Sequence, residues 1–356
     1  MTRFARSRGI VAPTIGDNLA LLDVPVYAYG HSFVAGTAQQ RTPWVSRLPR
    51  LTGCATPTNR GIVGNTVAST QAALYATAGT LLNPGTTGVV VLECALNDVR
   101  LHGAAGIPAW KKTVELMILM ARSGSWNEQT AGTFGGGAWF AQAAVQSNAR
   151  GGTIGLAIAN GNYLDFTFSG SEITLALGWL KSGFSSGSTY SINIDGSLAA
   201  TGTQATGASG PPSSWLVNYA IVPHTITGLS AGAHTVRLIH TGAGGDQMYV
   251  DGFITPSSTP PTVVLVVDPY ITDWAGGAPY NVGSNAIADQ YATAAYELAA
   301  QFPAGHVVVA DPRGRWDAAS MIGADGVHPN DVGASILAKT VADTMKNLTF
   351  RRGLTL

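Results

Sequence analysis

The sequence predicts an α/β fold that is interrupted by an inserted all-β domain. Two apolar, β-branched runs, at residues 88–94 and 262–267, have the composition of parallel strands that are covered on both faces. Helical periodicity accompanies these runs in the first and last thirds of the chain. Residues 126–256 instead show hardly any helical period and alternate between polar and apolar side chains. The all-β segment therefore lies between two halves of one α/β domain.

The elements of the α/β part are predicted from apolar runs and helical spacing. Strands are expected at residues 25–29, 88–94, 262–267 and 306–310. Helices are expected at residues 43–51, 67–78, 107–121, 284–302 and 332–345. Ser284 is the predicted N-cap of the fourth helix, and the glycine-punctuated segment 59–66 is predicted as a turn that opens the second.

The insertion is predicted to be an antiparallel β-sandwich, because its short alternating runs are separated by Gly, Ser and Asp. The runs lie at residues 163–168, 173–177, 190–194, 234–239 and 247–251. The predicted division of the chain is an N-terminal arm (1–22), a first α/β part (23–125), the inserted β-sandwich (126–256) and a second α/β part (257–356).

Charge is scarce and balanced in this 356-residue chain, which has 20 basic and 20 acidic residues. The sequence has no basic stripe that would indicate a nucleic-acid partner. It also has no polybasic segment that would indicate binding to an anionic membrane. No apolar run is long enough to span a bilayer, and none follows the basic N terminus as in a secretory signal peptide. We therefore expect a virion-associated protein, one secreted by another route, or a mature fragment of an extracellular protein. A cytoplasmic location is a further alternative.

Cysteine and histidine spacing gives no sign of a metal or disulfide framework. Cys54 and Cys94 are both in apolar surroundings and are predicted to be buried thiols, although a disulfide between them stays open. Five histidines lack the spacing of metal ligands, namely His102, His224, His234, His240 and His306. We expect no metal and no cofactor.

The loop at residues 325–330 carries the first chemical signal. Asp325 stands three residues before His328, and Asn330 is a good N-cap for the last predicted helix. A carboxylate at this spacing can hold one imidazole nitrogen and leave the other free as a base. Such a pair needs a nucleophile from elsewhere in the chain.

Three further polar segments lie where a nucleophile and its helpers would be expected. Ser32 comes just after the first predicted strand, Gly64 lies in the segment 59–66, and Asn97 follows the run 88–94. In open parallel sheets, ligands bind outside the carboxyl ends of the strands. The residue types together match acyl transfer, which needs a hydroxyl nucleophile, an oriented base and amide donors for an oxyanion.

These segments resemble the four sequence blocks of the SGNH (GDSL-type) hydrolases. In that family the blocks are Gly-Asp-Ser, an Asn-x-Gly-x-x-Gly-like turn, Gly-x-Asn-Asp and Asp-x-x-His. Here they stand in the same order as Gly30-His31-Ser32, Asn59-Arg60-Gly61-Ile62-Val63-Gly64, Ala95-Leu96-Asn97-Asp98 and Asp325-Gly326-Val327-His328. The resemblance covers roughly residues 24–125 and 257–350.

The resemblance implies a flavodoxin-like three-layer α/β/α sandwich and a serine esterase mechanism. Ser32 would be the nucleophile, His328 the base and Asp325 the residue that orients it. The backbone amides of Ser32 and Gly64, with the Asn97 side chain, would form the oxyanion hole.

Two positions depart from the family pattern. His31 stands where the family usually has Asp, and Ala95 stands where it usually has Gly. Adjacent residues on a tight turn point apart, so His31 is not expected to be the base. Ala95 adds one methyl group near the oxyanion hole and is expected to narrow the acyl site.

The insertion suggests a carbohydrate. Residues 248–254 resemble the last strand of galactose-binding-like jelly rolls, which often bind sugars. Trp179 and Trp215 are candidates for stacking on sugar rings, and filling of the sandwich core is an equally good interpretation of both. Asp98 is a further candidate substrate contact.

The expected activity is removal of O-acetyl or similar acyl groups from a glycan or cell-surface polysaccharide. One alternative is a bacteriophage virion protein, a tail or receptor-binding component with or without esterase activity. Another is a lipase or general carboxylesterase, which would prefer longer acyl chains. A homo-oligomer or incorporation in a larger assembly also fits the low charge.

Two other motifs are given structural interpretations. The pattern Gly-x-Ser-x-Gly at residues 228–232 lies between β-patterned runs, so it is predicted to be a hairpin turn and not a nucleophile elbow. Asp268 and Asp273 follow the run 262–267 and are predicted to cap or hydrogen-bond the loop there, with pocket lining as the alternative.

Overall fold

The computed structural model describes residues 21–76, 88–137, 139–143, 153–180, 187–204 and 219–352. Trp215 and nearly all of the predicted N-terminal arm lie outside these ranges. Within them, the structure confirms the predicted mixed architecture, with an α/β part that has a parallel sheet and a separate set of antiparallel sheets. The exact domain boundaries remain a proposal.

The strands are β1 (Val26–Gly30), β2 (Thr58–Gly61), β3 (Val89–Glu93), β4 (Ser123–Glu128), β5 (Thr133–Gly135), β6 (Trp139–Ala143), β7 (Thr153–Ala157), β8 (Tyr163–Ser169), β9 (Ile173–Leu180), β10 (Thr189–Ile194), β11 (Ser197–Thr203), β12 (Tyr219–Ile226), β13 (Ala233–His240), β14 (Met248–Pro256), β15 (Thr262–Val266) and β16 (Val307–Ala310). The helices are α1 (Ser32–Ala35), α2 (Leu48–Thr52), α3 (Val67–Ala76), α4 (Leu96–His102), α5 (Ile107–Ala121), α6 (Asn285–Ala299), α7 (Ala318–Met321) and α8 (Asp331–Arg352).

Five parallel strands form the sheet of the α/β part, in the order β2-β1-β3-β15-β16. Numbered along the chain within this sheet, the order is 2-1-3-4-5, which is a common order of doubly wound α/β folds. The order reverses between β1 and β3. Ligands in such sheets bind at the carboxyl ends of the strands beside this switch point.

Both faces of the parallel sheet are buried, which explains the continuous apolar composition of its strands. Val90 and Leu92 of β3 point into a core that also receives apolar side chains of α5 and α6. Val89 and Val91 point into a second core with side chains of α8 and of the segment around Leu48. The sheet therefore lies between two helical layers.

Several short elements of the α/β part differ from the sequence predictions. Residues 58–61 form β2, an edge strand, where only a turn was predicted, and the predicted helix 43–51 divides into a 3-10 helix (Trp44–Arg47) followed by α2. The short helices α1 and α4 were not predicted. Helices of four to seven residues complete at most two turns, so they show no apolar period in the sequence.

The strands between β4 and β14 form two further sheets. One has the order β11-β10-β13-β8-β5, and the other has the order β12-β9-β14-β7-β6, with β4 also paired to β14. Their facing sides share an apolar core in which the rings of Phe166 and Phe253 stack with centroids 4.5 Å apart. The outer face of the second sheet, including Tyr249 and Ala220, packs into the same core as α5. This double burial explains why β14 is apolar along most of its length.

The described residues also bear on the predictions about cysteines, membrane-spanning segments and metal sites. Cys54 and Cys94 are both free and buried. Among the helices in the described ranges, none combines the length and the apolar character needed to cross a bilayer. No group of three or more His, Cys, Asp or Glu side chains in those ranges is arranged to hold a metal ion.

Candidate active site

Ser32 lies at the start of α1, directly after the carboxyl end of β1. His31 is the N-cap residue, and its Nδ1 accepts a hydrogen bond of 3.3 Å from the backbone N–H of Phe33. Gly30 allows a close approach to β3, because a side chain at this position would clash with the carbonyl oxygen of Glu93. The turn places Ser32 at the carboxyl edge of the sheet, where the residue is 3% exposed.

The loop before α8 brings a histidine and a carboxylate to Ser32. The distance from Ser32 Oγ to His328 Nε2 is 2.9 Å, and the distance from His328 Nδ1 to Asp325 Oδ2 is 2.6 Å. The other carboxylate oxygen, Asp325 Oδ1, accepts the backbone N–H groups of Val327 and His328 at 3.0 and 2.9 Å. One carboxylate therefore folds the loop and holds the imidazole.

The electrostatics keep Asp325 ionised. Burial acts to raise the pKa of this carboxyl, but the two backbone N–H bonds and the His328 ring together hold its pKa below the usual value. An ionised Asp325 keeps the proton of His328 on Nδ1. Nε2 can then accept the Ser32 hydroxyl proton, which is the geometry of a general base and its nucleophile.

The same loop is fixed from the side by the segment after β15. The carbonyl oxygen of Gly326 accepts the backbone N–H groups of Thr272 and Asp273 at 3.0 and 2.9 Å. The Thr272 hydroxyl donates to the same oxygen at 3.1 Å. Thr272 and Asp273 thus hold the loop of Asp325 and His328 through their backbone, and the predicted role of the Asp273 side chain stays a prediction.

The turn after β2 brings Gly64 to the same edge of the sheet. The N–H of Ile62 donates to the carbonyl oxygen of Gly30 at 3.0 Å, which joins this turn to the nucleophile turn. Gly64 is exposed and has a φ of +83°, and no atom beyond its two chain neighbours lies within 4 Å of the position of an added Cβ. The space beside Gly64 is therefore open to solvent.

Asn97 lies at the second position of α4, after the carboxyl end of β3. Its Nδ2 donates to the carbonyl oxygen of Asn65, next to Gly64, at 2.8 Å. A carboxamide nitrogen carries two N–H groups, so a second one is left for an oxyanion. The three predicted oxyanion donors therefore come from the segments that follow three adjacent strands.

A buried acidic group that sequence analysis did not single out lies beside the turn of Ser32, where the backbone N–H of His31 donates to the carbonyl oxygen of Glu93 at 3.3 Å. Glu93, the last residue of β3, accepts the indole N–H of Trp44 at 3.0 Å and is 0% exposed. Burial and the nearby carboxylate of Asp268 raise the pKa of Glu93 well above its usual value, against the effect of the Trp44 bond. A glutamate at the end of an apolar strand gives no sequence signal of this environment.

The predicted substrate contacts lie in different places. Asp98 is 1% exposed, and its Oδ2 accepts the first backbone N–H of α3, from Val67, at 2.7 Å. Its pKa is raised by burial well above the usual value. Asp98 therefore caps a helix from inside the protein, and its contact with a substrate stays a prediction. Trp179 is partly buried against the core shared with α5, and Trp215 lies outside the described residues.

Ala95, the second departure from the family pattern, is 6% exposed and belongs to the apolar core beneath α5. Its methyl group therefore packs inward, which corrects the expectation that it narrows the acyl site.

The Gly-x-Ser-x-Gly pattern lies between β12 and β13, with no helix after it. These two strands belong to different sheets, so the segment joins the sheets and the predicted hairpin turn is wrong. Ser230 nevertheless lies near His234, which in turn contacts Asp195 at 2.7 Å. The Nε2 of His234 lies 2.8 Å from the carbonyl oxygen of Ser230, which can only accept, so this nitrogen is placed to donate a proton. Hydrogen bonding to Asp195 and to this carbonyl raises the pKa of His234. A ring nitrogen that donates to the Ser230 carbonyl oxygen cannot also take the proton of the Ser230 hydroxyl.

No protein-family model and no curated protein sequence matches the chain. Among solved structures, a two-domain esterase active on acetylated mannans has 11% identity and a TM-score of 0.36, over 67% of this chain and 92% of that one. A family 35 carbohydrate-binding module from Clostridium thermocellum has 20% identity and a TM-score of 0.29, over 37% of this chain and 98% of that one. An exo-beta-1,3-galactanase from Phanerochaete chrysosporium has 16% identity and a TM-score of 0.28, over 36% of this chain and 28% of that one. All three TM-scores lie below 0.5, so no shared fold or activity follows from them.

Proposed function

We propose that this chain is a serine ester hydrolase of the SGNH type that works through an acyl-enzyme. The strongest support is the hydrogen-bonded series from Ser32 Oγ to His328, at 2.9 Å, and from His328 to Asp325, at 2.6 Å. Gly64 and Asn97 lie in the segments that follow β2 and β3, the two strands that flank β1 in the sheet, and the Asn97 amide donates to the carbonyl oxygen of Asn65. This arrangement supplies a nucleophile, a base, an orienting carboxylate and oxyanion donors.

In the proposed reaction, Ser32 Oγ attacks the ester carbonyl carbon while His328 Nε2 takes the hydroxyl proton. The oxyanion is stabilised by the backbone N–H groups of Ser32 and Gly64 and by Asn97 Nδ2. Collapse of the tetrahedral intermediate expels the alcohol, which takes the proton from His328. A water molecule then attacks the acyl-enzyme while His328 takes its proton. Collapse of this second tetrahedral intermediate breaks the bond to Ser32 Oγ, which receives the proton from His328, and the carboxylic acid is released.

The proposed substrate is an O-acetylated glycan or cell-surface polysaccharide. Ile62 and Val63, which immediately precede Gly64, are 45% and 65% exposed, so the rim of the site is open on this side. An open rim accommodates a polymer better than a closed pocket does. The sugar-binding resemblance of residues 248–254 supports the same class of substrate.

The test is hydrolysis of p-nitrophenyl acetate, butyrate and octanoate, together with acetate release from an acetylated polysaccharide. The wild type, Ser32→Ala and Ser230→Ala are compared. We expect a preference for acetate, loss of activity to background in Ser32→Ala and unchanged activity in Ser230→Ala. A preference for octanoate without acetate release from the polysaccharide would favour the lipase alternative. Equal rates in all three proteins would overturn the proposal.

The virion alternative belongs to another class of function. It predicts a structural or adhesive protein, located on a virion, with or without esterase activity. A homo-oligomer or incorporation in a larger assembly is likewise a proposal. Light scattering of the purified protein and its detection in purified virions test these points.

A further inference from the structure

A buried histidine–aspartate pair lies next to the turn that holds Ser32. His31 Nε2 is 2.7 Å from Asp268 Oδ1, and the two side chains are 0% and 5% exposed. The other oxygen, Asp268 Oδ2, accepts the backbone N–H groups of Ala95 and Leu96, each at 2.9 Å. The pair therefore bridges the segments that follow β1, β3 and β15.

The proton positions follow from the hydrogen-bond partners. The backbone N–H of Phe33 donates to His31 Nδ1, so this nitrogen carries no proton. The ring proton is then on Nε2 and is donated to Asp268. The Asp268 carboxylate accepts this bond and the two backbone bonds, so neither of its oxygens is left unpaired.

The pair links the residue before Ser32 to the residue before Asn97. His31 precedes Ser32, and Leu96, whose N–H is held by Asp268, precedes Asn97. The same link therefore sets the distance between the nucleophile and the side-chain oxyanion donor. Displacing a reacting group by about 1 Å can cost roughly a hundredfold in rate.

We propose that His31 and Asp268 are positioning residues, which act on ester hydrolysis by fixing Ser32 relative to Asn97. This inference rests on the proposed function. This role explains why the chain has His31 where the family usually has an aspartate next to its nucleophile. The imidazole satisfies the N-terminus of α1 with one nitrogen and reaches Asp268 with the other.

Two substitutions separate these two roles of the ring. His31→Asn keeps an oxygen near the position of Nδ1 and so keeps the helix cap, but its side chain is too short to reach Asp268. His31→Gln carries an amide nitrogen out to the position of Nε2 and keeps the bond to Asp268, but it loses the cap. Asp268→Asn removes the carboxylate from the other side.

The experiment measures kcat and KM for p-nitrophenyl acetate in the wild type and these three variants, with Tm as the control for folding. We expect His31→Asn and Asp268→Asn to lose about ten- to a hundredfold in kcat, with KM changed less than about twofold. His31→Gln should keep kcat within about threefold. Because the pair acts through the placement of Asn97, adding His31→Asn to Asn97→Ala should cost little beyond Asn97→Ala alone.

The outcomes are distinct. An active wild type with His31→Asn and Asp268→Asn within about threefold of it in kcat would overturn the positioning role alone. The reverse ranking, with Gln impaired and Asn active, would also overturn it and make His31 only a helix cap. A folded wild type that hydrolyses no ester and forms no acyl-enzyme would overturn the proposed function and the positioning role with it.

Discussion

The side-chain amide of Asn97 donates a hydrogen bond of 2.8 Å to the carbonyl oxygen of Asn65. This bond ties α4 to the turn that holds Gly64. A donor that is fixed before the substrate arrives needs no reorganisation as charge develops on the oxyanion, which is why preorganised donors contribute strongly to catalysis.

Replacing Asn97 with Ala should therefore lower kcat by about a hundred- to a thousandfold, the range found when one oxyanion donor is removed. KM should change little, because the donor acts mainly on the transition state. The matched control is Asn160→Ala in the β-sandwich, where the amide donates to the backbone carbonyl oxygens of Thr241 and Gly242. Steady-state kinetics that show less than a threefold loss for Asn97→Ala would remove Asn97 from the oxyanion hole.

Glu93→Gln should stabilise the protein more at pH 8 than at pH 5. Burial raises the pKa of Glu93, so between its unfolded and folded values the folded state holds a proton that the unfolded state has lost. Folding stability then falls as the pH rises, and the neutral Gln removes this dependence while still accepting from Trp44.

Calorimetry at both pH values measures the effect on Tm, which we expect to reach a few degrees at pH 8. Glu297→Gln, a surface change next to Lys111, is the control and should shift Tm little at either pH. Equal Tm changes for Glu93→Gln at pH 5 and pH 8 would contradict the expected protonation of Glu93.

Asp325→Asn should destabilise the protein at neutral pH and progressively less in acid. The folded-state pKa of Asp325 is lowered, so its contribution is complete above the unfolded value and is lost as the pH falls through the folded one. The difference in Tm between wild type and variant, measured from pH 7 to pH 3, should therefore shrink. A difference that stays constant over this range would show that ionisation of Asp325 does not stabilise the fold.

Both cysteines should resist thiol reagents in the folded protein. Burial raises the pKa of Cys54 and of Cys94, which lowers the fraction of reactive thiolate as well as access to the sulfur. With Ellman's reagent at pH 8 we expect slow labelling in buffer and two fast equivalents in guanidinium chloride. Fewer than two equivalents after unfolding would reveal a disulfide.

Much of the fold is visible in the sequence, because a long helix carries a clear apolar period and a strand buried on both faces is a continuous apolar run. The helix at Ile107–Ala121 and the strand at Val89–Glu93 have bounds at or near the predicted ones. The edge strand at Thr58–Gly61 was predicted as a turn because Asn59 and Gly61 have low β-propensity.

The candidate site divides in the same way. The residues with a recognisable order, such as Ser32 and His328, were predicted and lie together in the structure. The partner of His31 was not predicted, because Asp268 is 237 positions away and the two are joined only by the folded sheet. The helix cap that Asp98 forms on the backbone N–H of Val67 was not predicted either, because the two residues are 31 positions apart and only the fold brings them together.

The most direct test of the central claim is covalent labelling with a fluorophosphonate, followed by mass spectrometry of the intact protein and of its peptides. We predict one adduct on the wild type, located on Ser32. Ser230→Ala should give the same adduct, and Ser32→Ala should give none. A folded wild type without an adduct, or an adduct that persists in Ser32→Ala, would contradict the account.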